Sequence, residues 1–236
     1  ANGSSDDGKV LRLDLETGLV STVAEELAIF CGWAGDVCFG GGIAVELDGS
    51  LLVLTAMDLL RIDPATGEQS VLATHGALFS DLAIDAAGDI FLVCYGGAGI
   101  YRVDPATGEL ALAFEVDLHD PYRSRLIIST TGDIFVTTGS EILRINPGTG
   151  AQETYAYSGL DRFLDIAEEP DGSLLVVEFS EFCSKIGGCS IVGSQIARVP
   201  SGYVIPDTDV PHGTRSIAVI RPACTDQLDN YGDGLI

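Results

Sequence analysis

Short apolar runs, broken by Asp-Gly or Gly-Asp pairs, recur along the chain: IAVELDGSLLVLT at 43–55, LAIDAAGDIFLVC at 82–94, LIISTTGDIFVTT at 126–138 and LDIAEEPDGSLLVVEF at 164–179. Each predicts a strand, a tight turn and a second strand, since Gly accepts the positive φ such turns require. A second phrase follows most copies: LRLDLETG at 11–18, LRIDPATG at 60–67, YRVDPATG at 101–108, LRINPGTG at 143–150 and a degenerate ARVPSG at 197–202. It predicts a third strand ending in an Asp-Pro-x-Thr-Gly turn, because Pro fixes φ and Gly reverses it. A short apolar stretch after it, such as GELALAF at 108–114, supplies a fourth strand. Helix-period apolar stripes are scarce.

Four antiparallel strands repeated about every 40–55 residues are the pattern of a β-propeller blade. These phrases resemble the repeats of NHL, gluconolactonase and streptogramin-lyase propellers across nearly the whole chain. The arginines Arg12, Arg61, Arg102, Arg144 and Arg198 mark five intervals. The step from Arg198 through the C-terminus back to Arg12 is itself repeat-sized, so five blades are expected, with six as the alternative. Residues 1–236 are read as one all-β propeller domain. Its final blade is shared by the two chain ends: SIAVI at 216–220 as first strand, GDGLI at 232–236 as second and GKVLRLD at 8–14 as third. Each repeated arginine is expected to pair with an Asp or a carbonyl of the neighbouring blade.

Composition narrows the function. Of 236 residues, 46% are hydrophobic, enough for a sizeable core, and the net charge is -23. Such a surface repels nucleic acid and anionic membranes, attracts cations such as calcium, and keeps an extracellular protein soluble. No apolar run is long enough to span a bilayer and no signal peptide is visible. Six cysteines lack zinc-type spacing. Cys31 with Cys38, and Cys183 with Cys189, lie close enough in sequence for disulfides in an oxidising compartment. They fall in the two longer repeats. Cys94 and Cys224 remain: either they pair with each other, or Cys224 bonds to another chain and Cys94, in an apolar strand, stays a buried thiol. The expected location is therefore secreted or cell-surface. Asn2-Gly3-Ser4 fits a glycosylation sequon.

Propellers bind ligands at a mouth of the central channel, lined by the loops between blades. Here those loops hold His75, His119 and His212, with Arg123, Arg125, Arg162 and Arg215, and Asp81, Asp120 and Asp161. Histidines there would act as general acid and base or as metal ligands. The resemblance agrees in location only: streptogramin lyases use histidines near the mouth, and gluconolactonases use Glu, Asn and Asp around a divalent cation. No residue set transfers position by position. No GxSxG, phosphate loop or HExxH is present. Adjacent acids such as Glu168 and Glu169 point to opposite faces of a strand and make a poor catalytic pair.

The last residues, CTDQLDNYGDGLI, resemble the Asp/Asn/Gly-rich calcium motifs near the C-termini of bacterial surface proteins. Tyr231 replaces an expected acid and the twelfth loop position is missing, so only a weaker calcium site on Asp226, Asp229 and Asp233 is expected, within an acidic loop at 221–234. Two functions follow. The favoured one is a secreted, non-catalytic binding or structural module, with a small-molecule or glycan ligand or with self-assembly into filaments by strand exchange or propeller stacking. The alternative is a metal-assisted hydrolase or lyase using His75, His119, His212, Arg125 and Arg215, with Asp81, Asp161 and Arg162 at the mouth.

Overall fold

The computed structural model describes residues 5–31, 38–39, 42–55, 57–74, 78–95, 99–119, 124–158, 160, 162–183, 189–199 and 203–204. A three-stranded sheet comes first: β1 (Ser5–Leu13), β2 (Val20–Cys31) and β3 (Cys38–Phe39). Four four-stranded antiparallel sheets follow. They are β4 (Ile43–Val45), β5 (Leu51–Leu54), β6 (Asp58–Ile62) and β7 (Gln69–Thr74); then β8 (Leu78–Ile84), β9 (Ile90–Tyr95), β10 (Gly99–Val103) and β11 (Leu110–Glu115). The third comprises β12 (Leu126–Ile128), β13 (Ile134–Thr137), β14 (Glu141–Ile145) and β15 (Gln152–Tyr157), and the fourth β16 (Arg162–Glu168), β17 (Leu174–Cys183), β18 (Cys189–Val199) and β19 (Tyr203–Val204). First strands of successive sheets touch, β4 with β8, β8 with β12 and β12 with β16. They are therefore the inner strands of blades arranged about an axis, and the chain is an all-β propeller.

The described residues contain four complete blades, not the five or six expected. The predicted third strand at 8–14 is present as β1, but 216–220, 221–234 and 232–236 lie outside the described residues. Ring closure is consequently unseen.

Strand alternation builds the core. Leu92, Ile90 and Cys94 of β9, with Phe79 of β8, face Leu54 and Leu59 of the neighbouring blade. Phe91 and Val93, on the opposite face, pack with Leu126, Ile134 and Ile145 of the next blade. The two-residue period of a strand thus feeds two inter-blade cores at once. Val10, Ala24 and Leu27 of the N-terminal sheet pack likewise on Val53 and Ile62.

The Asp-Pro-x-Thr-Gly segments are turns, as expected. Asp63 Oδ1 accepts the Ala65 and Thr66 amides at 2.7 and 3.2 Å, and Gly67 adopts φ +74°. A Cβ on Gly108, the equivalent of Gly67, would lie 1.8 Å from the Leu72 carbonyl oxygen of the preceding blade. Glycine is required there for close approach as well as for φ.

The repeated arginines differ from expectation. Their carboxylate partners sit in their own blades: Arg61 with Glu46 at 2.5 and 2.7 Å, Arg102 with Asp89 at 2.5 Å, Arg144 with Asp133 at 2.5 Å, and Arg198 with Glu169. The reason is register. The arginine on the third strand lies across from the second strand just after the hairpin, so the hairpin's acid is nearest. Arg61 also reaches the next blade, donating to the Pro105 carbonyl at 3.3 Å.

Candidate functional site

Hydrogen bonds across the inner hairpins set the repeats in register. Glu46, Asp85, Ser129 and Glu169 each donate an amide to the residue four further on. Counting back the same distance from each aligns Gly42, Asp81, Arg125 and Asp165, one per blade, on the inner strand or directly before it. The same register aligns Thr55, Cys94, Thr138 and Glu178, all buried, on the second strand or directly after it.

The inner position forms a charged cluster across three blades. Arg125 Nη1 donates to the Ser80 carbonyl at 3.2 Å, and Arg125 Nε lies 4.0 Å from Asp165 Oδ1. Asp81 Oδ2 accepts the Leu126 amide at 2.9 Å. The Arg125 amide donates to Thr137 Oγ1 at 2.8 Å, fixing the backbone that presents the guanidinium. Both acids follow a register shift: the pairings jump from Phe79 to Asp81 and from Phe163 to Asp165. Such bulges re-aim the next side chain. Gly42 completes the cluster by having no side chain. A Cβ there would sit 3.0 Å from Asp81 Oδ1 and 3.1 Å from Leu54 Cδ1.

Asp81 keeps a little accessible surface but is crowded by protein. Burial pushes its carboxyl up to about 6; the Arg125 charge and the Leu126 and Leu82 amides oppose this, and the Asp165 charge adds to it. Arg125 therefore neutralises two crowded acids rather than offering a free cation. At the far end of the same blade boundary, Glu168 accepts the Thr130 amide and hydroxyl at 2.9 and 3.0 Å. Glu169, its neighbour, turns the other way to Arg198.

The residues expected at the mouth separate into two groups. Asp81 and Arg125 come together. Arg162 lies three residues before Asp165 on β16, opposite Phe179. His119 is exposed, its Nδ1 3.2 Å from the Asp117 carbonyl oxygen. His75, His212, Arg123, Arg215, Asp120 and Asp161, and the calcium candidates Asp226, Asp229 and Asp233, lie outside the described residues. Among the described residues no three His, Cys, Asp or Glu side chains group to hold a metal. Cys31 lies directly across from Cys38, and Cys183 from Cys189, as partners in antiparallel pairs. Two residues escaped sequence reasoning, Asp165 and Glu178. Glu178 is buried and accepts Gln195 Nε2 at 2.6 Å. Setting the four inner hairpins in register would have found both.

As a sequence, the chain matches no family model and no curated protein. As a structure, it is similar to virginiamycin B lyase from Staphylococcus aureus, with TM-score 0.53 and 16% identity over 78% of this chain and 62% of that one. It is also similar to a structural-genomics protein of unknown function from Bacteroides thetaiotaomicron, with TM-score 0.59 and 15% identity over 86% and 55%. A third likeness is to a chain of the nidogen/laminin complex, with TM-score 0.58 and 14% identity over 81% and 75%. The chain thus spans only about half to two-thirds of the first two structures. At these identities the likeness is one of fold. It places the chain among β-propellers, a fold whose members share blades and differ in chemistry.

Proposed function

We propose that the chain is a secreted or cell-surface β-propeller of five blades that binds or builds rather than transforms a substrate. The observation that carries this is the inner cluster. Asp81, Arg125 and Asp165 are engaged with one another and with blade backbone, so the charged groups nearest the axis serve to hold three blades together. A general acid or base needs a lone pair or proton free to meet a substrate. The fifth blade contains β1 and β2, with its inner two strands supplied from 216–220 and 232–236. In this reading both hairpin cysteine pairs are disulfides. Directly opposed residues in an antiparallel pair lie about 4.5–5.5 Å apart at Cα, within the range of a disulfide. Calcium on the acidic loop at 221–234 is the secondary element, and a glycan, small molecule or second copy is the partner.

The test joins assembly to activity. Purified protein is imaged by negative-stain electron microscopy and assayed with ester, lactone and cyclic-depsipeptide substrates with and without divalent metals. The expected result is no turnover. Turnover abolished by His119→Ala would overturn this reading in favour of a hydrolase or lyase. Intact mass with and without reductant reports the two disulfides. Chelation that lowers the melting temperature reports the calcium.

A further inference from the structure

Resting on the five-blade reading, we infer that the open inner edge of β1 receives residues 232–236 of the same chain, and that Asp233 is the ion-pair partner of Arg12. Four complete blades supply a rule. Where the inner hairpin reads Gly-Asp, the arginine pairs with that Asp: Gly88-Asp89 with Arg102, Gly132-Asp133 with Arg144. Where it reads Asp-Gly-Ser, the partner is the Glu three residues before the Gly: Glu46 with Arg61, Glu169 with Arg198. Arg12 is exposed and makes no ion pair among the described residues. The sequence holds one further hairpin phrase, Gly232-Asp233-Gly234-Leu235-Ile236, of the first kind.

Burial points the same way. Leu13 occupies the position of Ile62, Val103 and Ile145, each 0% exposed, yet it is 55% exposed. Leu11 is 58% exposed. β1 bonds only β2, leaving its other edge open among the described residues. Beside that edge runs a cleft of about 240 Å³ lined by Val10, Leu11, Leu27, Ile43 and Val53. Such an edge is a template for one more strand. Register follows from the complete blades, where Val103 faces Ile90, Arg102 faces Phe91 and Tyr101 faces Leu92. The corresponding pairs are Leu13 with Gly234, Arg12 with Leu235 and Leu11 with Ile236.

The occupant is the chain's own segment because the connection is long enough. Earlier crossovers from a fourth strand reach the equivalent glycine through 75–87 and 116–131, and residues 205–231 provide a longer span after β19.

Two measurements on the full chain test this. In the Leu13→Cys/Gly234→Cys variant, mild oxidation and peptide mapping are expected to give a cross-link between these two positions within single chains. A cross-link joining two chains would overturn the own-chain assignment while leaving a self-assembling propeller intact. No cross-link in either form would overturn both this inference and the five-blade closure. Separately, Arg12→Glu and Asp233→Arg are each expected to lower the melting temperature by about 1–4 °C, and the double reversal to recover it. Additive losses in the double variant would overturn the ion pair.

Discussion

β14 in the third complete blade and β1 in the N-terminal sheet carry the same phrase and end in the same turn, but only one is buried. The turn of β1 is built normally. Asp14 Oδ1 accepts the Glu16 and Thr17 amides at 3.0 and 2.8 Å, and Gly18 takes φ +70°, as Gly150 does after β14. The Thr17 amide is the main reason the Asp14 carboxyl is held below its ordinary value. Yet Ile145 is fully covered and Leu13 is not, and Arg144 meets Asp133 while Arg12 meets no acid among the described residues. The phrase therefore dictates conformation within about eight residues. Burial is decided by whether inner strands lie alongside.

Substitutions in the closed blades and in the open sheet should differ in cost, from the inner cluster downward. Arg125→Ala removes the cation from between Asp81 and Asp165 and is expected to cost about 3–5 kcal/mol, read from denaturant unfolding. Arg12→Ala in the open sheet should cost far less, and equal losses would show that the inner cluster has no special role.

Ile145→Ala should cost about 2–4 kcal/mol by cavity formation. Leu13→Ala sharpens the contrast: a leucine left as exposed as it is beside β2 alone would lose under about 1 kcal/mol, whereas one covered by residues 232–236 should lose about 2 kcal/mol or more. We expect the larger loss.

Asp81→Asn should show a pH signature. Its carboxyl ordinarily titrates near 3.8 and is raised to about 6 in the fold. Between those values the folded chain binds more protons than the unfolded one, so this group's favourable contribution is complete below about 3.8 and lost as pH rises through 6. The Asn variant should accordingly gain about 1–2 kcal/mol relative to the parent at pH 8 and little at pH 4, given residual solvent at the site. A gain independent of pH would remove the titration account.

The smallest effect is expected for Arg102→Ala, whose pair with Asp89 is solvent-exposed; thermal melts of parent and variant should nearly coincide.

Much of this was legible in the linear chain. The Gly-Asp and Asp-Gly hairpins, the Asp-Pro-x-Thr-Gly turns and the period-two apolar pattern depend on neighbours a few residues apart, so they could be read as written. The carboxylate partners of Arg61, Arg102, Arg144 and Arg198 were misplaced into the next blade because strand register, not sequence distance, sets which carboxylate is near. Asp81 and Arg125 stood out as charges in loops. Asp165 did not, since it reads as one more acid in an acidic chain until the repeats are aligned by their hydrogen bonds.

The repeating strand unit, its turns and the all-β propeller class were already set in the linear chain, because those rest on φ preferences and alternation within a single unit. Blade packing brings Asp81, Arg125 and Asp165 together from three blades, leaves room at Gly42 for the Asp81 carboxylate, and gives β1 an open edge among the described residues. These depend on how separate blades lie against one another. Distances of a few ångströms between residues some 40 positions apart follow from sheet packing, to which local propensity contributes nothing.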